Sequence, residues 1–398
     1  MSFWDRVLII LSFYHFLLFG NDLTNSTDIN ITKFWSQEES GWTYPVFIKV
    51  PISAPPSDGF PVCILLHGNG GDGVGILNDW DSYLVNHILI APTGYLNSWN
   101  IVNESSDAPD IEMINELIST IQNYDNVNIN KIRILGSSNG SALANRIFIE
   151  ITNPGVDAIF TIGSQLNDIM YQNGDFYYPS GVTGNNQNNG GYDIATIPLS
   201  GRYYLNVHNI NDNVIPYYGG TVSFLGVGFH PALDAICYIA NSQGYMGESI
   251  NENSGTEINN SSVYEYSYLD GQVVHLSGNA GHGINNTQRN YIIEYINNIV
   301  TQLSVKNSNL ANKFFLEKPY PNPFNPTLNI DYYIPQTSNV TIDIYDINGK
   351  KVEKIFQGKN NKGKYSIHWD SKNIPSGVYF IKLKSTNFSD KKKVVLVK

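Results

Sequence analysis

Cysteine is scarce in this chain: Cys63 and Cys237 are the only two among 398 residues. Two thiols exclude a disulfide framework. One sits in an apolar strand-like run at 62–66 and the other in a helix-like stretch, so both read as buried free thiols. No ligand spacing joins them to histidine or acid, which leaves out a metal site. Positive charge is also rare over most of the chain. Residues 1–305 hold 8 Lys+Arg against 28 Asp+Glu, a net charge of −20, whereas residues 306–398 hold 16 lysines, no arginine and 7 acids, a net charge of +9. Phosphate backbones are bound by basic stripes, so the acidic part excludes nucleic acid as its partner. An asymmetry of this size separates domains with separate jobs. Charged residues make up only 15% of the whole and apolar ones 42%, enough for a large core and against global disorder. Long apolar runs are missing too, apart from residues 7–20. That run matches the core of an export signal and is short for a membrane span, so residues 1–22 read as a signal peptide in preference to a retained anchor helix.

What is present has the rhythm of alternating strands and helices. Residues 41–50, 60–66, 87–91, 132–135, 158–163, 203–208 and 263–269 read as strands, several of them unbroken apolar runs of the kind buried in a parallel sheet. Residues 110–121 place Ile111, Ile114, Leu117, Ile118 and Ile121 on one helical face. Helices are also expected over 141–151 and 290–303. The pattern predicts an α/β fold, a mostly parallel sheet with helices on both faces and chemistry at the carboxyl ends of its strands. Residues 170–198, rich in Gly, Asn and Tyr, read as a lid or substrate-binding excursion. Pattern is lost over 304–318, a linker. Beyond it, short alternating segments at 328–334, 340–345, 364–369 and 378–383 are separated by turns such as Asn348-Gly349 and Ser376-Gly377. They predict a small all-β sandwich. The expected organisation is a signal at 1–22, a catalytic domain at 23–303, a linker at 304–318 and a sandwich at 319–398. No internal repeat is evident.

The densest chemical signal is Gly136-Ser137-Ser138-Asn139-Gly140, between a strand and a helix. A serine hydroxyl attacks only when it is exposed, held still and set beside a base. A tight strand-to-helix turn meets the first two needs, and flanking glycines leave room where backbone segments crowd. Ser138 is therefore the candidate nucleophile. In such elbows an acid and then a histidine follow in the chain. Asp212, just beyond strand 203–208, is the acid candidate, against the alternative that Asn211-Asp212-Asn213 is turn chemistry alone. His282, flanked by Gly281 and Gly283, is the base candidate. His275 competes with it but sits within a strand, where a histidine packs; His230 and His368 read as structural, and His208 as a support of the acid loop. The loop Leu66-His67-Gly68-Asn69-Gly70-Gly71 lacks the Walker lysine and the dinucleotide spacing. It reads as an oxyanion loop, with the backbone N–H groups of Asn69 and Asn139 receiving the negative oxygen. Trp99 and His67 are expected among the substrate-binding residues. Tyr171, Phe176, Tyr177 and Tyr178 are further wall candidates, or packing of their own loop. This chemistry requires no metal or cofactor.

Two resemblances follow from these motifs. His67-Gly68-Asn69-Gly70, Trp99-Asn100, the run from Gly136 to Ser141, the block His208…Asp212…Val214-Ile215-Pro216-Tyr217…Gly219-Gly220, and Gly281-His282 together resemble the polyhydroxybutyrate depolymerase and feruloyl or acetylxylan esterase group of secreted α/β-hydrolases. The likeness spans most of residues 45–303 and implies Ser138, Asp212 and His282 as a catalytic triad. The chain departs from that group at Asn69, where another residue type is frequent, and in lacking Trp-Pro after His282. The second resemblance lies in Tyr320-Pro321-Asn322-Pro323-Phe324-Asn325-Pro326-Thr327, Ile344-Tyr345-Asp346-Ile347-Asn348-Gly349, Ser376-Gly377-Val378-Tyr379-Phe380 and the closing residues 391–398. These are similar to a type IX secretion sorting domain, which implies passage through the periplasm, export across the outer membrane and the secretion machinery as partner. The expectation is a secreted serine esterase that hydrolyses polymeric esters (polyester, feruloyl or acetyl polysaccharide) through an acyl-enzyme. A serine peptidase of the prolyl-oligopeptidase type and a non-catalytic carbohydrate-binding surface protein are the alternatives.

Overall fold

In the computed structural model the described residues are 21–181, 191–310 and 315–398, apart from 317–318, 335–336, 348, 362, 373 and 386–387. The expected export signal thus lies outside the described residues as far as residue 20, as do 182–190 of the expected excursion and 311–314 and 317–318 of the expected linker. The chain divides into two compact units, Met1–Ile296 and Asn297–Lys398.

Nine strands form the central sheet of the first unit: β1 Val46–Lys49, β2 Phe60–Leu66, β3 Ile88–Pro92, β4 Val127–Ser137, β5 Val156–Ile162, β6 Tyr203–Val207, β7 Thr256–Glu257, β8 Tyr264–Tyr268 and β9 Val273–Ser277. Their spatial order is β7-β8-β9-β6-β5-β4-β2-β3-β1. The six strands from β9 to β3 are parallel. β1 at one edge, and β8 and β7 at the other, are antiparallel. Parallel neighbours need crossovers. Helices α1 (Gly73–Trp80), α2 (Asp110–Ile121) and α3 (Asn139–Glu150) make three of them, while α4 (Ala232–Ser242) falls between β6 and β7 and α5 (Asn286–Leu310) follows β9. Every residue of β3, β5, β6 and β9 is buried, which explains why these strands do not alternate apolar with polar residues. On α2, the buried stripe is Met113, Ile114, Leu117, Ile118 and Ile121.

Two segments are more ordered than their sequence pattern implied. The excursion after β5 contains a three-stranded sheet of Tyr171–Gln172, Asp175–Pro179 and Tyr192–Thr196. It is anchored by Phe176 and Tyr192, both buried in the main core. Helix α5 runs to Leu310, past the end expected at 303; extending a helix adds one bond per residue fixed, so it needs less support than starting one.

The second unit is a sandwich of β10 Phe315–Leu316, β11 Thr327–Ile334, β12 Ser338–Asp346, β13 Lys351–Asn360, β14 Gly363–Asp370, β15 Gly377–Ser385 and β16 Phe388–Leu396. One sheet is ordered β10-β11-β14 and the other β13-β12-β15-β16. Alternation drives it: Leu328, Ile330, Tyr332 and Ile334 of β11 join Val340, Ile342 and Ile344 of β12 in one core. β13 and β16 have no counterpart among the expected segments. Irregularities in the pairing of β12 with β13 break the alternation of β13, and the run Lys391-Lys392-Lys393 breaks that of β16.

Candidate active site

β4 ends at Ser137 and α3 begins at Asn139, which isolates Ser138 on the turn with φ 52° and ψ −117°. A non-glycine residue held there costs on the order of 1–3 kcal/mol and persists only where its surroundings over-determine it. They do so here. A Cβ at Gly136 would lie 2.1 Å from the Gly140 carbonyl oxygen, and a Cβ at Gly140 would lie 2.2 Å from that of Leu66. Both sites therefore require glycine. The Ser138 N–H donates to the Ile162 carbonyl at 2.7 Å. The Ser141 hydroxyl accepts from the Ile162 N–H at 2.7 Å and lies 2.6 Å from the Gly136 carbonyl oxygen. Elbow and neighbouring strand are thus fastened together.

Two loops at the same edge of the sheet meet this serine. His282, 144 residues downstream of Ser138, follows β9 and sets its Nε2 2.8 Å from the Ser138 Oγ. Its Nδ1 lies 2.8 Å from Asp212 Oδ2, in the loop after β6. The Asp212 carboxylate accepts four hydrogen bonds: from the N–H groups of Val214 (2.8 Å) and Ile215 (3.0 Å), from His208 Nε2 (3.1 Å) and from His282. Burial works to raise its pKa, but the histidine and backbone bonds outweigh that and hold the carboxyl well below the ordinary carboxylate range. An ionised Asp212 keeps the proton of His282 on Nδ1. Nε2 is left as the acceptor that faces the serine hydroxyl. His208 is fully buried against the acid loop. His275, the competing base candidate, is fully buried in β9, its ring nitrogens engaged by Asn206 Oδ1 at 2.7 Å and the Tyr217 hydroxyl at 3.1 Å.

The loop after β2 completes the site. A Cβ at Gly68 would lie 3.4 Å from that of Ser138, so the loop rests on the elbow. Asn69 lines the cleft above the serine, as does Asn139, whose place at the first helical position of α3 leaves its N–H without an intrahelical partner. His67 and Trp99 need correction. Trp99 is 0% and His67 2% exposed, and neither lines the cleft. The Trp99 indole N–H donates to the His67 carbonyl at 2.9 Å, and His67 Nε2 accepts from the Gly94 N–H at 3.0 Å. The Asn139 side chain in turn clamps the Trp99 backbone, accepting from its N–H at 2.7 Å and donating to its carbonyl at 3.1 Å. These side chains hold the loop from behind.

A cleft of about 490 Å³ opens over Ser138 and His282. Val214 and Ile215 of the acid loop and Phe224, Leu225, Val227 and Phe229 supply apolar lining, while Asn69, Asn103, Glu104 and Ser105 supply polar lining; among the described residues no lysine or arginine takes part. The Asn103 amide donates to the Leu225 carbonyl at 2.7 Å and joins the two groups. Glu104 Oε2 accepts from the N–H groups of Ile101 and Val102, and burial pushes its carboxyl pKa up.

The second unit answers to a known family. Residues 318–398 match the family model of a secretion system C-terminal sorting domain. That domain directs the chain to export, to the cell surface or beyond, and marks the secretion machinery as a partner. Among curated proteins none matches this chain. Among solved structures this chain is similar to a carboxylesterase of Bacillus cereus (12% identity, 64% of this chain and 93% of that one, TM-score 0.39). It is also similar to an acetyl xylan esterase of Aspergillus awamori (13%, 63% and 93%, TM-score 0.41) and to a carboxylesterase of Mesorhizobium loti (12%, 64% and 94%, TM-score 0.38). At these scores the likenesses carry no functional conclusion.

Several parts of the site escaped sequence reasoning. The cleft wall comes from a hairpin, Gly220–Val222 with Val227–Phe229, and not from Tyr171, Phe176, Tyr177 and Tyr178, which pack on the main core. Short β-branched and aromatic segments around a glycine-containing turn signal such a hairpin. Asn209 went unnoticed as well. Its Nδ2 donates to the carbonyls of Gly281 (2.9 Å) and Gly283 (2.7 Å), on either side of His282, and its Oδ1 accepts from the buried Gln288 at 2.7 Å. Gln288 and Asn285 also cap the start of α5 reciprocally, at 3.0 and 2.9 Å. The Asn-x-x-Gln spacing was readable in the chain. The grip of Asn209 on a loop more than 70 residues away was not.

Proposed function

We propose that the first unit is an α/β-hydrolase and an exported serine esterase, with Ser138 as nucleophile, His282 as general base and acid, and Asp212 as the carboxylate that orients it. Its main support is the relay of two 2.8 Å contacts from Ser138 Oγ through His282 to Asp212, at an elbow whose backbone is held at positive φ. As Ser138 Oγ attacks the ester carbonyl carbon, its proton passes to His282 Nε2, and the ionised Asp212 stabilises the resulting imidazolium. The N–H groups of Asn69 and Asn139 receive the oxyanion, a contribution of several kcal/mol in a site sheltered from water. Collapse releases the alcohol, protonated by His282. Water activated by the same imidazole then frees the acid. In this reading residues 1–22 are an export signal, 23–303 the catalytic domain and 304–318 the connection to the sorting domain.

The lining narrows the substrate. Apolar residues from the hairpin suit an alkyl or aryl acyl group, and asparagine and serine suit the hydroxyls of a sugar alcohol, so an acylated or feruloylated polysaccharide is favoured over a polyester. Among the described residues the lining holds no lysine or arginine, which disfavours carboxylated acyl groups.

Ser138→Ala tests the assignment. The variant should fold normally, lose nearly all hydrolysis of p-nitrophenyl acetate and escape labelling by a fluorophosphonate; retained turnover would overturn the proposal. Side-by-side release from feruloylated xylan, acetylxylan and polyhydroxybutyrate ranks the substrates, and an aminoacyl anilide left uncut excludes the peptidase alternative.

A further inference from the structure

The lysines of the sorting domain are not scattered. On β12, Val340, Ile342 and Ile344 are buried, which turns Thr341, Asp343 and Tyr345 to the outer face of the four-stranded sheet. Cross-strand register then fixes what shares that face. Asp343 pairs with Lys354 on one side and Lys382 on the other, and Lys382 pairs with Lys391. Tyr345 pairs with Lys351 and Phe380, and Phe380 pairs with Lys393. Two adjacent rows therefore carry five lysines against one acid, Asp343, which is already joined to Lys351. The strands of the other sheet contain a single lysine, Lys364.

Protection of sheet edges explains lysines on β13 and β16, the two edge strands. It does not explain Lys382 on the inner strand β15, directly opposite Lys391, because like charges in that position repel. Two of these ammonium groups are seated over rings: Lys382 lies 5.9 Å from the Tyr345 centroid and Lys391 5.2 Å from that of Phe380. The charges are spread flat, about 4.8 Å apart across strands and about 7 Å apart along them. That array matches an extended polyanion better than a small anion, which needs converging donors. Arginine, the residue suited to bidentate phosphate contacts, is absent from 306–398. Lysine ammonium groups suit the separate carboxylates or sulfates of a glycan, and an exported domain meets glycans.

We propose that the outer face of the β13-β12-β15-β16 sheet is a binding site for an anionic polysaccharide. The site is independent of the esterase assignment.

Binding of the full chain to polygalacturonate and to dextran sulfate tests it, with neutral dextran, double-stranded DNA and phosphatidylserine vesicles as comparisons. The full chain should bind at least one anionic glycan, ignore neutral dextran, and weaken about tenfold or more between 50 and 500 mM salt. Lys382→Glu with Lys391→Glu should weaken glycan binding by at least about tenfold, whereas Lys372→Glu with Lys398→Glu, an equal charge change elsewhere in the domain, should have less than about a threefold effect. Lys382→Gln with Lys391→Gln, which removes charge without reversing it, should fall between them and melt no lower than the parent. Equal losses from both glutamate pairs, no glycan binding, or tighter binding to DNA or vesicles would overturn the proposal. So would self-association abolished by Lys382→Glu with Lys391→Glu, which would give the face to the acidic unit of a second copy.

Discussion

Among the described residues, the first unit buries His87, Asp110, Arg133, Asp157, Arg202, His208 and His275, whereas the second buries only Asn360 and Ser371 as polar side chains. The sandwich is closed by alternation alone, with isoleucine, leucine and valine meeting across two sheets. In the first unit the buried arginines Arg133 and Arg202 have partners. Arg202 donates to the carbonyls of Phe148, Ile151, Asn153 and Val156, and burial still lowers its pKa to about 10. Arg133 lies 3.6 Å from Asp157 and donates to the Ile296 carbonyl. Buried charge is tolerated only when paired or hydrogen-bonded.

The sharpest way to break this comparison is at Asp212. Asp212→Asn should lower kcat on a p-nitrophenyl ester by about 10⁴-fold, since the His282 tautomer would no longer be held. A loss below tenfold would remove Asp212 from the site. Next in size is Arg133→Met, which leaves Asp157 buried without its cation and should destabilise the first unit by roughly 3–5 kcal/mol in urea unfolding. Ile342→Val in the sandwich core should lower that unit's stability by only about 0.5–1.5 kcal/mol, and equal effects would erase the contrast. Asn209→Ala should reduce kcat by on the order of 10- to 100-fold with little change in KM, because it loosens the backbone on both sides of His282; a pure KM effect would point to substrate contact instead.

A further effect concerns pH. Burial lowers the pKa of His275 to about 3. Below its unfolded value of about 6.5 the unfolded chain takes up a proton that the folded chain refuses, so this histidine withdraws stability as pH falls toward 3. His275→Gln should be less stable than the parent at pH 8. The gap should narrow between pH 6.5 and 4 by at most about 1.4 kcal/mol per pH unit. A gap constant with pH would mean that His275 takes up its proton in the fold as it does in the unfolded chain, and would overturn the assignment.

Local chemistry carried much of what was legible. The two glycines of the elbow announce a crowded strand-to-helix turn because the collision they avoid is between neighbouring segments. Unbroken apolar runs betray strands covered on both faces, and strict alternation betrays a sandwich. Those signals need only the nearest residues and the period of the backbone, so the α/β character, the candidate nucleophile and the change of style near residue 319 were all visible in the chain. Collective burial made the remaining choices. Trp99 and His67 turned inward because a loop crossing the sheet edge needs something large and hydrogen-bonded behind it. The hairpin at 220–229 became the cleft wall because the acid loop leads it there. His282, and not His275, faces Ser138 because the register of β9 seals one ring inside the sheet and leaves the other beyond its carboxyl end, where parallel strands bring residues 138, 212 and 282 to the same edge.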